Sequence, residues 1–453
     1  MPGPGLTAKR EMSKKKNTLT AGQRWLLVLF GLTVGIAAGI IYNNGYDPIS
    51  SIGERARPDK PRYELNKHLA NDQSRIDTLQ AMDKEIERYL KRWEINGASL
   101  AISRGDSLVY AKGYGYADVE KKEQMEPGHL LRVASVSKLL TAAGIMKLAE
   151  EKKVSLSDHV FGPEGVLNDT AYTSLIKDRR YFDITVEQLL RHEGGFNNAA
   201  GDPMFSTRFI MMQNHLSSPP TSDELIRIIL GRRLGYTPGQ GCKYSNFGYM
   251  LLSRIIERRS GMTYEEYMQR HLFEPAGCYD MHLAHNYYEG RRPNEVHYYM
   301  HDTAEPTPEF NNSGRMVVKC YGENDIERLY GAGGWCASAP ELCRFIAAID
   351  GRDGVTDVIS AESVKQMTED LRPAHGFSLG WNTTPANGPW VRTGTLSGTS
   401  ALVVLFPEGE CWVMITNTST WRGHGFAKES IGFFDKLRQK YASRFPKRTL
   451  WPM

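Results

Sequence analysis

Cysteine is scarce in this 453-residue chain: there are six, and the first is Cys242. So few exclude a disulfide scaffold. The late first cysteine also argues against a lipid-modified N-terminus. No charge of one sign dominates. Lys plus Arg number 56 and Asp plus Glu 52, a net charge of +4, which gives no reason to expect nucleic acid or an acidic partner. No metal-ligand motif, nucleotide-binding loop or internal repeat is present, so no metal and no cofactor is expected. With 41% hydrophobic and 24% charged residues, the composition is that of a globular protein with a sizeable core. It excludes disordered, collagen-like and multi-pass membrane chains.

One long apolar run is there. Trp25 to Tyr42 reads WLLVLFGLTVGIAAGIIY and carries no charge; the uncharged stretch continues to Tyr46. As a helix it would span roughly 33 Å, enough to cross a bilayer core. Lys9, Arg10, Lys14, Lys15, Lys16 and Arg24 precede it, and no Lys or Arg follows until Arg55. The charge asymmetry predicts a basic cytoplasmic tail (1–24), a single transmembrane anchor (25–42) and an extracytoplasmic remainder, periplasmic in a bacterial cell. A cleaved signal peptide would have a shorter apolar region and a small-residue cleavage site, and neither is present. Gly31, Gly35 and Gly39 are at helix-packing spacing, but glycine is common in membrane helices.

Residues 43–75 are polar and hold Pro48, Pro58 and Pro61, which reads as a linker. Helical periodicity follows from Ile76 through Met82, Ile86 and Leu90 to Trp93. GASLAISRGDSLVYAKGYGYAD alternates around Arg104-Gly105-Asp106, a hairpin pattern. SALVVLF and CWVMITN flank Pro407-Glu408-Gly409-Glu410 in the same way, and Phe426 to Tyr441 is amphipathic. The expected fold is α/β, an α+β sandwich. One antiparallel sheet is drawn from both ends of a 76–445 domain and flanked by helices, with a mainly helical part over 155–330.

Ser135 and Lys138 form S-x-x-K ahead of the apolar run LLTAAGIMKLAEE. On a helix they share a face one turn apart. A serine hydroxyl needs a base to become a nucleophile, and a buried lysine can be one. Alone this pattern is short, and Ser135 could equally be a helix cap. Tyr244-Ser245-Asn246 follows 109 residues after Ser135, and Arg392-Thr393-Gly394 lies 148 residues further on, running into a strand.

This ordered set resembles the penicillin-recognising serine hydrolases: class C β-lactamases, DD-peptidases and related esterases. ITVEQLLRHEGG (184–195), GAGGWCASAPELCRF (331–345) and GFSLGW (376–381) extend the resemblance over about residues 76–440. It implies that Ser135 forms an acyl-enzyme, with Lys138 and Tyr244 sharing base and acid duties. Asn246, Arg392, Thr393 and Gly394 would bind substrate, Gly394 letting the strand approach it closely. The backbone N–H groups of Ser135 and Thr395 would form the oxyanion hole. The substrate would be a small peptide, amide or ester. A DD-peptidase-like enzyme is the first expectation, an esterase or weak β-lactamase the second. A non-hydrolytic penicilloyl-binding sensor is the alternative of another class. The third motif has arginine where β-lactamases have lysine and many relatives histidine. Arginine stays charged, so with Lys138 it would help pull the tyrosine down and could grip a substrate carboxylate bidentately, but it cannot shuttle protons.

Glu164 to Asn168 spells E-x-x-L-N, but stands in the wrong order for a deacylating glutamate and reads as a loop coincidence. His192 reads as structural. His282, His285, His297 and His301 cluster in sequence without a closed ligand set and read as structural or aromatic-rim residues. The segment 285–325 is expected over the mouth of the site, and no obligatory disulfide is expected among the cysteines.

Overall fold

The computed structural model describes residues 65–199, 201–369 and 377–451. The apolar run Trp25–Tyr42, the basic tail and residues 43–64 lie outside the described residues. Among those described, no helix is long and apolar enough to cross a membrane.

Helix α1 (Gln80–Arg92) leads into strand β1 (Gly97–Arg104) and β2 (Ser107–Asp118). Gly105 takes φ 57° in the two-residue connection between them, a backbone region that glycine enters without a Cβ penalty. Short β3 (Glu123–Gln124) completes this edge, and β4 (Leu131–Arg132) runs toward α2 (Ser137–Glu150). Beyond a helix-rich stretch come α3 (Asn246–Ser260), β5 (His282–Leu283), β6 (Trp335–Ala337) and α4 (Ala339–Ala347). Strands β7 (Trp390–Leu396), β8 (Thr399–Leu405) and β9 (Glu410–Thr416) and helix α5 (His424–Tyr441) close the chain.

The main sheet has the order β3-β2-β1-β9-β8-β7. Strand β1 pairs antiparallel with β9, Ala98 opposite Thr416, so hairpins from opposite ends of the domain meet as the sequence implied. Strand β7 is an edge. The period-2 alternation divides the strands between two faces. Leu100, Ile102, Val404, Trp412 and Met414 pack with α1 and α5 residues such as Ile86, Leu90, Phe434 and Leu437. Ala101, Val403, Val413 and Ile415 join the larger core on the other face, which contains α2 and α4 residues. Helix α2 is buried nearly all round, as expected of a helix apolar on every face. That puts the amine of Lys138 inside the protein.

Three boundaries differ from the sequence reading. Residues 65–75, assigned to the linker, pack onto the domain. Leu65 and Leu69 enter the core, and Asn66 Nδ2 donates to Asp280 Oδ2 at 2.8 Å and Glu341 Oε2 at 2.9 Å. The polar composition concealed two buried leucines four residues apart. The C-terminus extends past 445: Leu450 N–H donates to Leu108 O at 2.8 Å and Trp451 is buried. Within 155–330, helices dominate only to Ala276. The rest is loop with short ladders, and β5 joins β4 and β6 in a three-stranded sheet of order β4-β6-β5. The six cysteines are unpaired.

Candidate active site

The site is built where α2, α3 and β7 meet. Ser135 lies in a single 3-10 turn, Ala134–Val136, ahead of α2. Ala134 has φ 48°, a left-handed conformation that strains a residue with a Cβ. Ala134 and Val136 are buried while Ser135 is half-buried, so the turn presents the serine. Strand β7 presses against this turn. A Cβ on Gly394 would sit 2.3 Å from Val133 O and 2.9 Å from Ser135 N. Gly394 is therefore required by contact with the serine turn; the sequence reading had placed that contact with substrate. Thr395 follows on the same edge strand, opposite Ser400 of β8.

Lys138 follows one turn after Ser135 and has no exposed surface. Its Nζ lies 3.3 Å from Ser135 Oγ, donates to Asn246 Oδ1 at 2.7 Å, and also donates to the Ala332 carbonyl. It stands 4.7 Å from the centroid of the Tyr244 ring. Burial lowers its pKa, with help from Arg392, against the opposing pull of Tyr244.

The second motif is placed by helix capping. Ser245 is the N-cap of α3, its side chain accepting from Gly248 N–H, which satisfies one of the free amides of the first turn. Tyr244 thus stands just before the helix and Asn246 in its first turn. Burial alone would push the Tyr244 phenol up. The charges of Lys138 and Arg392, with hydrogen bonds from Lys138 and Ser135, outweigh it and bring the group down to about 8.

Arg392 keeps the electrostatic part of the sequence reading and departs from its substrate-binding part. Its residue is 1% exposed, and the Nε/Nη2 edge of its fork is taken. Nε and Nη2 donate to the Ser135 carbonyl at 2.8 and 2.5 Å, and Nη2 also donates to the Tyr244 hydroxyl at 3.2 Å. The guanidinium is bound to the nucleophile turn, so its Nε/Nη2 edge is not open to grip a substrate carboxylate. It holds the serine's backbone and supplies positive potential to the phenol. Thr393 is likewise engaged: its N–H and hydroxyl both donate to Asn382 Oδ1, at 2.7 and 3.2 Å.

His192 is structural, as expected, but close to the chemistry. Its ring centroid lies 4.4 Å from that of Tyr244, 5.0 Å from Tyr249 and 4.9 Å from Phe377. Nδ1 accepts from Ser245 N–H at 3.1 Å. Burial, then Lys138 and Arg392, hold its pKa well below the ordinary value, so the ring is neutral. Asn382 and Asp202 were not legible in the sequence. Asp202 sits in a Gly-Asp-Pro turn, which carries no motif, yet its Oδ2 accepts from Asn246 N–H at 2.7 Å.

The segment 285–325 does reach the end of β7. Ser397 in the β7–β8 turn donates to Glu323, and a Cβ on Gly398 would meet Cys320 and Tyr298. Glu164–Asn168 does not reach the site. Asn168 accepts from Arg258 near the C-terminal end of α3, roughly 18 Å along the helix from Asn246.

The four clustered histidines disperse. His285 pairs with Glu327, His297 with Glu120, and His301 Nδ1 faces Thr303 Oγ1. His282 meets partners that its sequence spacing does not show. Cross-strand register sets His282 and Arg132 on either side of Cys336, and His282 Nε2 lies 3.6 Å from Glu295 Oε2. Arg132, fully buried beside Glu295, balances that carboxylate, while His282 Nε2 and Arg132 Nε are buried without a hydrogen-bond partner among the described residues.

A family model described as Beta-lactamase matches residues 82–432. A putative penicillin-binding protein, PbpX of Bacillus subtilis, is 25% identical over 90% of this chain and 93% of its own length. Protein flp of Staphylococcus aureus is 30% identical over 46% of this chain, and the match spans only 38% of that protein. Two solved structures share the fold. One is the octameric penicillin-binding protein homologue from Pyrococcus abyssi, with TM-score 0.60, 23% identity, and coverage of 80% of this chain and 78% of the other. The other is D-amino acid amidase from Ochrobactrum anthropi, with TM-score 0.62, 19% identity, and coverage of 81% and 99%.

Proposed function

From the premise that the chain belongs to the Beta-lactamase family of serine hydrolases, we propose that Ser135 is its acylated nucleophile. The observation that carries this reading is the convergence of Lys138 Nζ, 3.3 Å from Ser135 Oγ, and Arg392 Nη2, 3.2 Å from the Tyr244 hydroxyl, on a phenol brought to about 8 beside Ser135. At neutral pH a usable fraction of Tyr244 is phenolate, stabilised by the Lys138 ammonium and the Arg392 guanidinium. Tyr244 takes the Ser135 proton as Oγ attacks a carbonyl carbon. The carbonyl oxygen becomes an oxyanion facing the N–H groups of Ser135 and Thr395, each donor contributing about 3–4 kcal/mol. The proton on Tyr244, relayed through Lys138, passes to the departing amine or alcohol. A water then repeats the sequence on the acyl-enzyme. Asn246 holds the lysine and offers its amide to the substrate.

The substrate is an amide or ester of peptide type, as the names of PbpX and the D-amino acid amidase also suggest. The engaged fork of Arg392 favours acyl donors that need no carboxylate clamp there, amides and esters ahead of carboxypeptidase substrates. We also propose that the domain is extracytoplasmic and anchored by Trp25–Tyr42; the charge asymmetry around that run supports this. To test the substrate reading, the full-length chain and Ser135→Ala would be offered D-phenylalanine amide, a D-alanyl-D-alanine peptide, p-nitrophenyl acetate and fluorescent penicillin. Ser135-dependent turnover of the amide or ester, exceeding that of the peptide, is expected. Faster carboxypeptidase than amidase turnover would overturn the preference. Stoichiometric penicillin labelling without turnover of any substrate would favour a sensor.

A further inference from the structure

We infer that Asp202 is a positioning residue of the same reaction: it sets the orientation of the Asn246 amide and supplies the anion that acts on Lys138. The inference rests on the hydrolase reading above and adds a residue that no motif contains.

The geometry is specific. Asp202 lies on the loop that connects the His192 segment to the short turn Pro203–Phe205, for which it is the N-cap, its Oδ1 accepting from Met204 N–H at 2.9 Å. Its other oxygen is turned onto the first turn of α3. Oδ2 accepts from Asn246 N–H at 2.7 Å and from Asn246 Nδ2 at 3.3 Å. A helix N-terminus favours a carboxylate there.

The second of these bonds removes an ambiguity. An asparagine amide can present either its oxygen or its nitrogen to a neighbour. With Nδ2 bound to the Asp202 carboxylate, Oδ1 must face Lys138 Nζ, where it lies at 2.7 Å. The reversed amide would set oxygen against carboxylate and NH2 against ammonium, two repulsive contacts. Asp202 thereby holds Lys138 through Asn246 and leaves the second Nδ2 hydrogen for substrate. Its charge also acts directly, favouring the protonated amine of Lys138. The groups around the phenol then comprise the cations Lys138 and Arg392, the anion Asp202 beyond Asn246, and the neutral His192 and Tyr249.

The test compares the full-length chain with Asp202→Asn and Asp202→Glu in p-nitrophenyl acetate hydrolysis, with the Ser135→Ala rate subtracted. Asp202→Asn removes the charge and lets the amide rotate. Its kcat should fall about 10- to 100-fold, the range for losing a hydrogen bond to a charged group, with KM within about twofold. The acid limb of the pH–rate profile should move to lower pH, because removing an anion disfavours the more protonated Lys138–Tyr244 pair. Asp202→Glu keeps the charge and should leave the limb in place while recovering part of kcat. A lowered melting temperature with kcat and pH limb unchanged would reduce Asp202 to a cap and overturn the inference. If the wild-type chain shows no Ser135-dependent rate, the hydrolase reading itself fails and takes this role with it.

Discussion

Replacing Arg392 by methionine removes one of the two cations beside the phenol, and the size of the effect can be worked from the structure. Nη2 lies 3.2 Å from the Tyr244 hydroxyl. Two unit charges at that separation interact by about 5 kcal/mol at an effective dielectric constant of about 20. The guanidinium charge is spread over three nitrogens and shared with the Ser135 carbonyl, so about 2 kcal/mol is the share the phenolate loses. At 1.36 kcal/mol per pH unit that is about 1.5 units. The phenol is brought to about 8 in the wild type, which leaves about one molecule in ten as phenolate at pH 7. After the substitution about one in 300 remains, so kcat/KM at pH 7 should fall about 30-fold. The base must be deprotonated to act, so the rate rises with pH through this limb and the variant's limb lies at higher pH. Arg392→Lys separates charge from geometry: it should keep the limb near its wild-type position while losing rate through the lost fork. The assay is the pH dependence of p-nitrophenyl acetate hydrolysis from pH 6 to 10. An unmoved limb in Arg392→Met, with Ser135-dependent activity retained, would refute the role given to the guanidinium.

Gly394→Ala places a methyl 2.3 Å from Val133 O between two backbone segments that cannot yield separately. Acylation should be lost and stability should fall by about 1–3 kcal/mol, read by urea denaturation and penicillin labelling. His192 has its pKa depressed from an ordinary 6.5, so the unfolded chain takes up the proton first. Its contribution to stability is full above about pH 6.5 and is lost as pH falls below it. His192→Gln should flatten that part of the stability–pH curve, and an unchanged slope would contradict the neutral assignment. Asn66→Ala strips Nδ2 from Asp280 and from Glu341, whose carboxyl burial and Asp280 push up to about 7. A loss of about 2–3 kcal/mol is expected by calorimetry; a neutral substitution would return residues 65–75 to a linker.

The parts of the fold and site that were legible have local signatures. Gly105 and Gly409 mark tight turns between alternating strands, and their positive φ values are what those positions demand. Ser135 and Lys138 were legible because helical spacing fixes their relation, and Tyr244-Ser245-Asn246 because its residue types and its place between the serine and arginine motifs resemble the family's order. What was not legible depends on tertiary approach. Nothing in Arg392-Thr393-Gly394 tells which way the guanidinium points. Only the contact of β7 with the serine turn directs it inward. Asp202 and Asn382 act from turns with ordinary polar composition. Cys336 reaches His282 through cross-strand register, and Glu295 from a segment bridged to Leu130. The arm 65–75 was hidden because polar residues outnumber its two core leucines.

The central claim is that Ser135 carries the acyl group, and the direct measurement is to map the adduct. The full-length chain is labelled with fluorescent penicillin, digested and read by tandem mass spectrometry, with Ser135→Ala alongside. The account predicts one penicilloyl group on Ser135 itself, absent from the variant. An adduct on any other residue, or labelling of Ser135→Ala equal to wild type, would contradict it.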